Sequence, residues 1–217
     1  MTNSTRLRGV IFDFDGTLAD TIPMVIAAFN HALRHAGLRE HTDEEIFAMF
    51  GPDEVGILQN LIGEGWEDIY AIYLAAYERE HTGTTDVFPG IQPVLDLLVK
   101  RGVQLAIVTG KGADAAAISV PRLGLDRYFT IVEAGSAKGP AKPAAIRGIL
   151  DRWQLPPDAV AYVGDAAQDM RDARETGLVA LGAAWAASTP LDALRAERPD
   201  ALFLSVEEFS DWLGEHA

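Results

Sequence analysis

The chain predicts an α/β fold, with a mainly parallel sheet covered by helices on both faces and a small all-helical lid inserted near its start. Three observations predict it. Short apolar runs alternate with segments of helical periodicity, the pattern of parallel strands buried on both faces. Between Asp20 and Val87 that alternation stops, and helical patterns follow one another without a convincing strand. Finally, Asp13, Asp15, Thr109 and Asp165 each stand just beyond an apolar run, and ligands of such sheets gather at the carboxyl ends of the strands.

Taken in order, Val10-Ile11-Phe12 is a β-type run leading into Asp13-Phe14-Asp15-Gly16-Thr17. Extended alternation predicts that Asp13 and Asp15 emerge on one side while Phe12 and Phe14 face the other. From Ile22, the residues Val25, Ile26, Phe29, Leu33 and Ala36 recur at helical spacing, with Gly37 as the stop. Asp43 is placed to cap a short helix through Phe50, Pro52 to open another through Ile62, and Trp66 to Glu80 carries an aromatic-rich third pattern. Tyr70, Tyr73 and Tyr77 read as lid packing rather than a ligand box. This block, residues 20–87, is expected to be a separate lid, with Val87-Phe88-Pro89-Gly90 as the return linker into a core of residues 1–19 and 88–217.

Beyond the linker, a helix from Pro93 to Arg101 precedes the strand 103–108, and helical residues run on to about Gly124, with a break expected at Pro121. Tyr128 to Glu133 reads as a strand, Lys142-Pro143 opens a helix through Trp153, and Ala159 to Val163 is a strand ending in Gly164-Asp165. A helix to Gly177, a strand from Leu178, a short strand 201–204 and a helix from Glu207 complete the expectation.

Composition narrows the function. A length of 217 residues suits one core or a core plus a small lid. The net charge of −14 disfavours nonspecific binding to nucleic acid or anionic membrane, both of which need basic footprints. Cysteine is absent, which excludes disulfides and thiolate chemistry, and the five histidines show no metal-ligand spacing. The longest apolar run, Leu178 to Ala187, is too short for a bilayer, and the acidic start is unlike a signal peptide, so a cytoplasmic home is expected. Monomer and homodimer are equally open.

The chemistry-bearing residues are mostly oxygen donors. Two carboxylates one residue apart repel unless a cation or shared proton intervenes. Gly16 permits a sharp turn that brings backbone N–H groups close to whatever the carboxylates hold, and Thr17 adds a hydroxyl. Thr109 is either a hydroxyl donor beside the exposed backbone of Gly110 or a helix N-cap. Lys111 reads either as an assisting cation or as a surface charge. Lys142, fixed at a turn by Pro143, competes with Lys138 as a site cation. Asp165 and Asp169 share a face if a helix begins near Asp165, and oxygen-only ligands suit Mg²⁺.

These stretches resemble the haloacid dehalogenase-like hydrolases, whose first motif reads Asp-x-Asp-Gly-Thr/Val. Thr109 matches the second motif, Lys142-Pro143 resembles the third, and Gly164-Asp165-x-x-x-Asp169 resembles the fourth, with Ala166 where many relatives carry a hydroxyl residue. Family order is kept across nearly the whole chain. The resemblance implies a Rossmann-like core with a helical cap, in the manner of the phosphoglycolate phosphatase-like subgroup. It implies that Asp13 attacks phosphorus to form an aspartyl-phosphate while Asp15 serves as acid and then base. Gly16, Thr17, Thr109, Gly110 and Lys142 are expected to bind the phosphate. Asp13, Asp15 through its backbone carbonyl, Asp165 and Asp169 are expected to hold Mg²⁺. The implied substrate is a small phosphorylated metabolite, a phosphoglycolate-like monoester.

Within the family, Asp15 argues against dehalogenases, which lack the second acid, and the absence of lysine from Asp20 to Val99 argues against lysine-dependent phosphonate hydrolases. A phosphomutase shares all four motifs and stays as the alternative. A catalytically silent binding protein is expected to have lost an acid or the lysine, and none is missing.

Overall fold

The computed structural model describes residues 6–81 and 87–217; residues 82–86, the end of the expected lid, lie outside the described residues. Six strands are present among them: β1 (Gly9–Phe12), β2 (Gln104–Val108), β3 (Val132–Glu133), β4 (Val160–Gly164), β5 (Val179–Ala183) and β6 (Ala201–Phe203). They form one sheet in the order β3-β2-β1-β4-β5-β6, parallel throughout. Strand order reverses at β1, so the crevice between the carboxyl ends of β1 and β4 is the natural ligand position of such a sheet.

Alternation along the strands builds two cores. Val10 and Phe12 join Leu105, Ile107, Ala161 and Val163 on one face, packed against α5 (Ile91–Lys100) and α10 (Val206–His216) through Leu95, Phe209 and Leu213. Ile11 joins Ala106, Val108 and Tyr162 on the other, against Ile146 and Ile149 of α7 (Lys142–Trp153) and Met170 of α8 (Ala167–Thr176). Both faces of the central strands are therefore dry, as parallel pairing requires.

The helices of the inserted block are α1 (Ile22–His35), α2 (Asp43–Phe47), α3 (Glu54–Ile62) and α4 (Trp66–Glu80). They enclose a third cluster in which Phe29, Leu58, Tyr73 and Tyr77 are buried, and Ala115 of α6 (Ala113–Arg122) joins it. The tyrosines do pack: the rings of Tyr73 and Tyr77 stack at 5.9 Å, and Phe29 meets Tyr73 at 4.7 Å. The block sits on the sheet through a polar seam. Asp53 N–H donates to the Ser136 carbonyl at 3.1 Å, Tyr77 and Ser119 share a hydrogen bond at 2.8 Å, and Tyr70 donates to Asp114 at 3.1 Å. The chain leaves and re-enters side by side, with Phe88 N–H on the Leu18 carbonyl at 3.0 Å.

Several expected boundaries move for identifiable reasons. The cap of α2 is Thr42, in a reciprocal box with Glu45, and Asp43 is the first helical residue. Helix α3 opens at Glu54 rather than Pro52, with Asp53 as its cap. The strand expected from Tyr128 shrinks to two residues because the Leu125 carbonyl takes the N–H groups of Tyr128 and Phe129 into a turn. Pro121 lies inside the last turn of α6 without breaking it before Arg122. Helix α8 begins at Ala167 rather than Asp165, and α9 (Leu191–Ala196) is an addition. No helix of the described residues is long and apolar enough to cross a membrane.

Candidate active site

Strand β1 ends at Phe12, so a tight turn rather than strand alternation places the two acids. Asp13 N–H still donates to Val163 of β4 at 2.8 Å, and its Oδ1 accepts from Phe14 N–H at 2.7 Å. Phe14 is buried in the core as expected, and its carbonyl gathers the N–H groups of Thr17, Leu18 and Ala19. This winding sends the carboxylates to different partners. Asp13 Oδ2 accepts from Lys142 Nζ at 2.8 Å, whereas Asp15 Oδ1 accepts from the Thr21 hydroxyl and lies 3.0 Å from Lys111 Nζ.

Lys142, at the first position of α7, also donates to Asp169 Oδ1 at 2.6 Å and lies over the Tyr162 ring. Lys138 is exposed, so the structure brings Lys142 and not Lys138 to the acids. Asp169 in turn uses Oδ2 to accept from Ala166 N–H at 3.1 Å. That bond ties the start of α8, whose cap residue Ala166 has no side-chain hydroxyl of its own.

One oxygen each from Asp13, Asp165 and Asp169 lies within 4.8 Å of the others. Two glycines make the approach possible. A Cβ on Gly16, whose φ is +72°, would come within 2.8 Å of Asp165 Cγ, and one on Gly164 within 2.6 Å of Asp169 Cγ. Among the described residues no hydrogen bond reaches the Asp165 carboxylate. Burial, then Asp13 and Asp169, push its pKa well above the usual range. Burial pushes Asp13 up to about 6 against the pull of Lys142, and Lys142 stays charged because Asp13 and Asp169 outweigh its own burial. Three hard oxygen donors with one compensating ammonium fit a hard divalent cation such as Mg²⁺. The Asp15 side chain is not one of the three.

The other expected residues divide. Thr109, just past β2, is buried, and its Oγ1 accepts from Lys111 N–H at 3.2 Å. It is not a helix cap, because Gly112 precedes α6. Gly110 is exposed beside it. Thr17 is wholly buried, its hydroxyl meets no partner among the described residues, and its carbonyl accepts from Trp185 Nε1 at 3.0 Å.

Lys111 is the largest departure from expectation. It is 4% exposed, with its ammonium 4.5 Å from the centre of the Tyr77 ring and 3.9 Å from Glu54 of α3. Burial opposes its charge, but Asp15, Tyr77 and Glu54 together hold its pKa above the ordinary value. Glu54 itself is buried and accepts from Gly112 N–H at 2.5 Å. The local signals were slight: a lysine two residues past a strand-terminal threonine, and an acid opening an otherwise apolar helix.

The arrangement is thus an acidic triad with a lysine at the mouth of β1 and β4, and a second acid held apart from it. The haloacid dehalogenase-like hydrolase family model matches residues 10–183, from β1 to the end of β5. The chain belongs to this family. Among relatives of this hydrolase, the pyrophosphatase PpaX of Bacillus velezensis is 29% identical over 210 residues, covering 96% of this chain and 95% of that one. The phosphoglycolate phosphatase of Chromobacterium violaceum is 30% identical over 195 residues, covering 84% and 87%. In fold, the hydrolase resembles the crystal structure of a predicted phosphoglycolate phosphatase from Haemophilus somnus, with a TM-score of 0.81 at 19% identity over 95% of this chain and 97% of that one.

Proposed function

We propose that this hydrolase is a Mg²⁺-dependent phosphatase that cleaves a small phosphoglycolate-like monoester through an aspartyl-phosphate on Asp13. One observation carries the reading: Asp13 lies among Lys142, Asp165 and Asp169, while Asp15 points to different partners. That separation gives the two acids different work.

A carboxylate oxygen of Asp13 forms the bond to phosphorus as the ester P–O bond breaks, and Asp15 gives a proton to the departing oxygen. Asp15 then takes a proton from the incoming water, whose oxygen bonds to phosphorus as the acyl phosphate opens, releasing phosphate and restoring Asp13. Lys142, between Asp13 and Asp169, offsets negative charge on the transferring group, and we assign the Thr109 hydroxyl and the Gly110 backbone N–H as donors to a phosphoryl oxygen. Asp13, Asp165 and the Asp15 backbone carbonyl would hold Mg²⁺, with Asp169 beside them. The ion would neutralise phosphoryl charge and favour the ionised form of Asp13. We read residues 20–87 as the lid that excludes water from this chemistry, and a cytoplasmic enzyme as the form that fits the composition.

The test is phosphate release from a panel of small phosphomonoesters with Mg²⁺. Asp13→Asn should abolish turnover and Asp15→Asn should slow it by about 10²- to 10⁴-fold, the usual range for general acid-base work. Turnover that survives Asp13→Asn would exclude the covalent route.

A further inference from the structure

Asp15 is gripped by one oxygen only. The Thr21 hydroxyl and the Lys111 ammonium both engage Oδ1, and no partner among the described residues engages Oδ2. A carboxylate that must serve first as acid and then as base needs one oxygen free for the proton and the other fixed, since two side-chain torsions would otherwise let it wander.

Lys111 is built to supply that fixed point. Its ammonium sits against Asp15, its charge faces the Tyr77 ring, and the whole side chain is enclosed. The Phe14 ring forms part of the enclosure, and the helical block supplies the rest. Glu54 of α3 places Oε1 3.9 Å from the ammonium, and its other oxygen accepts from Gly112 N–H at 2.5 Å. Tyr73 donates to Oε1 at 3.4 Å. A Cβ on Gly112 would fall 2.5 Å from Glu54 Oε2, so a side chain there would push this carboxylate aside. Glu54 is therefore fixed from both sides and faces one cation.

We propose that Lys111 is a positioning residue that pins Asp15 through Oδ1 and leaves Oδ2 as the proton-transferring atom, with Glu54 of the helical block holding Lys111 in place. The proposal rests on the phosphatase reading and adds to it a chain of three charges, Glu54 to Lys111 to Asp15, that spans the block and the sheet. Lys111 acts on the reaction only through Asp15.

The consequence is selective. An alkyl phosphate expels a poor leaving oxygen and needs the Asp15 proton, whereas p-nitrophenyl phosphate expels a stabilised phenolate and needs it far less. The value of kcat/KM isolates this first transfer from the later attack of water. In Lys111→Met, which keeps the apolar stem over Tyr77, kcat/KM for ethyl phosphate should fall about 10²-fold or more, with p-nitrophenyl phosphate losing less than about 10-fold. Glu54→Gln, which retains an acceptor for Gly112, should shift the ratio in the same direction by a smaller amount, and it carries the test if Lys111→Met does not fold. Equal losses on both esters, or no loss on either, would overturn the positioning role while leaving the phosphatase reading intact. Wild-type protein that releases phosphate from neither ester nor any member of the phosphomonoester panel would overturn the reading itself and the inference with it.

Discussion

Gly16 and Asp165 approach so closely that a Cβ at position 16 would lie within 2.8 Å of Asp165 Cγ, and the backbone there holds φ at +72°. Gly16→Ala therefore faces two penalties, the left-handed backbone and a displaced carboxylate. The expected loss is about 1–3 kcal/mol of stability, with a drop in phosphate release beyond what the unfolded fraction explains. Thermal unfolding and a turnover assay on the same preparation check it, and an unaltered melting temperature would show that the turn relaxes freely.

Lys142 is the only cation bonded to the acidic triad among the described residues, at 2.8 Å from Asp13 and 2.6 Å from Asp169. Lys142→Met leaves those carboxylates facing one another, and breaking a buried pair by removing one partner costs about 3 kcal/mol or more. Turnover should fall by about 10²- to 10³-fold, the scale of losing one preorganised charge at a transferring group. Lys138→Met, on an exposed side chain nearby, should change stability by less than about 0.5 kcal/mol and leave kcat alone. Comparable losses in the two variants would mean that the sequence contest between these lysines is not settled by proximity.

What could be read from the sequence, and what could not, divides along the range of the interactions. Helices α1, α4 and α7 begin and end close to expectation because periodicity and local punctuation at Ile22, Gly37, Trp66 and Pro143 fix them within a few residues. Asp13, Asp15, Asp165 and Lys142 stood out because each follows an apolar run or opens a helix, and Asp169 because it lies four residues beyond Asp165. Lys111 was not, since its burial depends on Asp15, Glu54 and Tyr77, all from other elements. Tyr128 and Phe129 misled for a related reason: two aromatics look like a strand until the Leu125 carbonyl claims their N–H groups. The separate destinations of Asp13 and Asp15 depend in the same way on residues far along the chain, Lys142 for one and Lys111 for the other.

His81, at the end of α4, gives a pH signature of the seam between the helical block and α6. Its Nε2 hydrogen-bonds Ser119 Oγ at 2.9 Å, and its ring meets Tyr77 edge-on. Burial, with Lys111 and Arg122 adding to it, lowers its pKa from 6.5 to about 4. Between those values the unfolded chain binds a proton that the folded chain refuses, so this contribution is fully present above pH 6.5 and is lost as pH falls toward 4. The side chain is only partly buried, so solvent screening reduces the effect to on the order of 1 kcal/mol. Urea unfolding at pH 7.5 and pH 5 should show a smaller acid-induced loss for His81→Asn than for wild type, and identical losses would remove His81 from the account.

The triad of Asp13, Asp165 and Asp169 gathers more negative charge than Lys142 alone offsets, and burial already raises Asp13 to about 6 and Asp165 above its usual range. A divalent cation that binds only the folded site should therefore stabilise the protein. At a hundredfold excess over Kd the gain is about 2.7 kcal/mol, which for a chain of this size raises Tm by roughly 5–10 °C. Binding requires ionised carboxylates, so affinity should weaken as pH falls below about 6 and each proton competes with the ion. Thermal scans with Mg²⁺ against EDTA at pH 7.5 and pH 5 read this directly. Asp165→Asn should lose most of the Mg²⁺-dependent rise while keeping a cooperative transition, because it removes the one triad carboxylate that no hydrogen bond reaches among the described residues. A rise of the same size in Asp165→Asn would place the ion elsewhere.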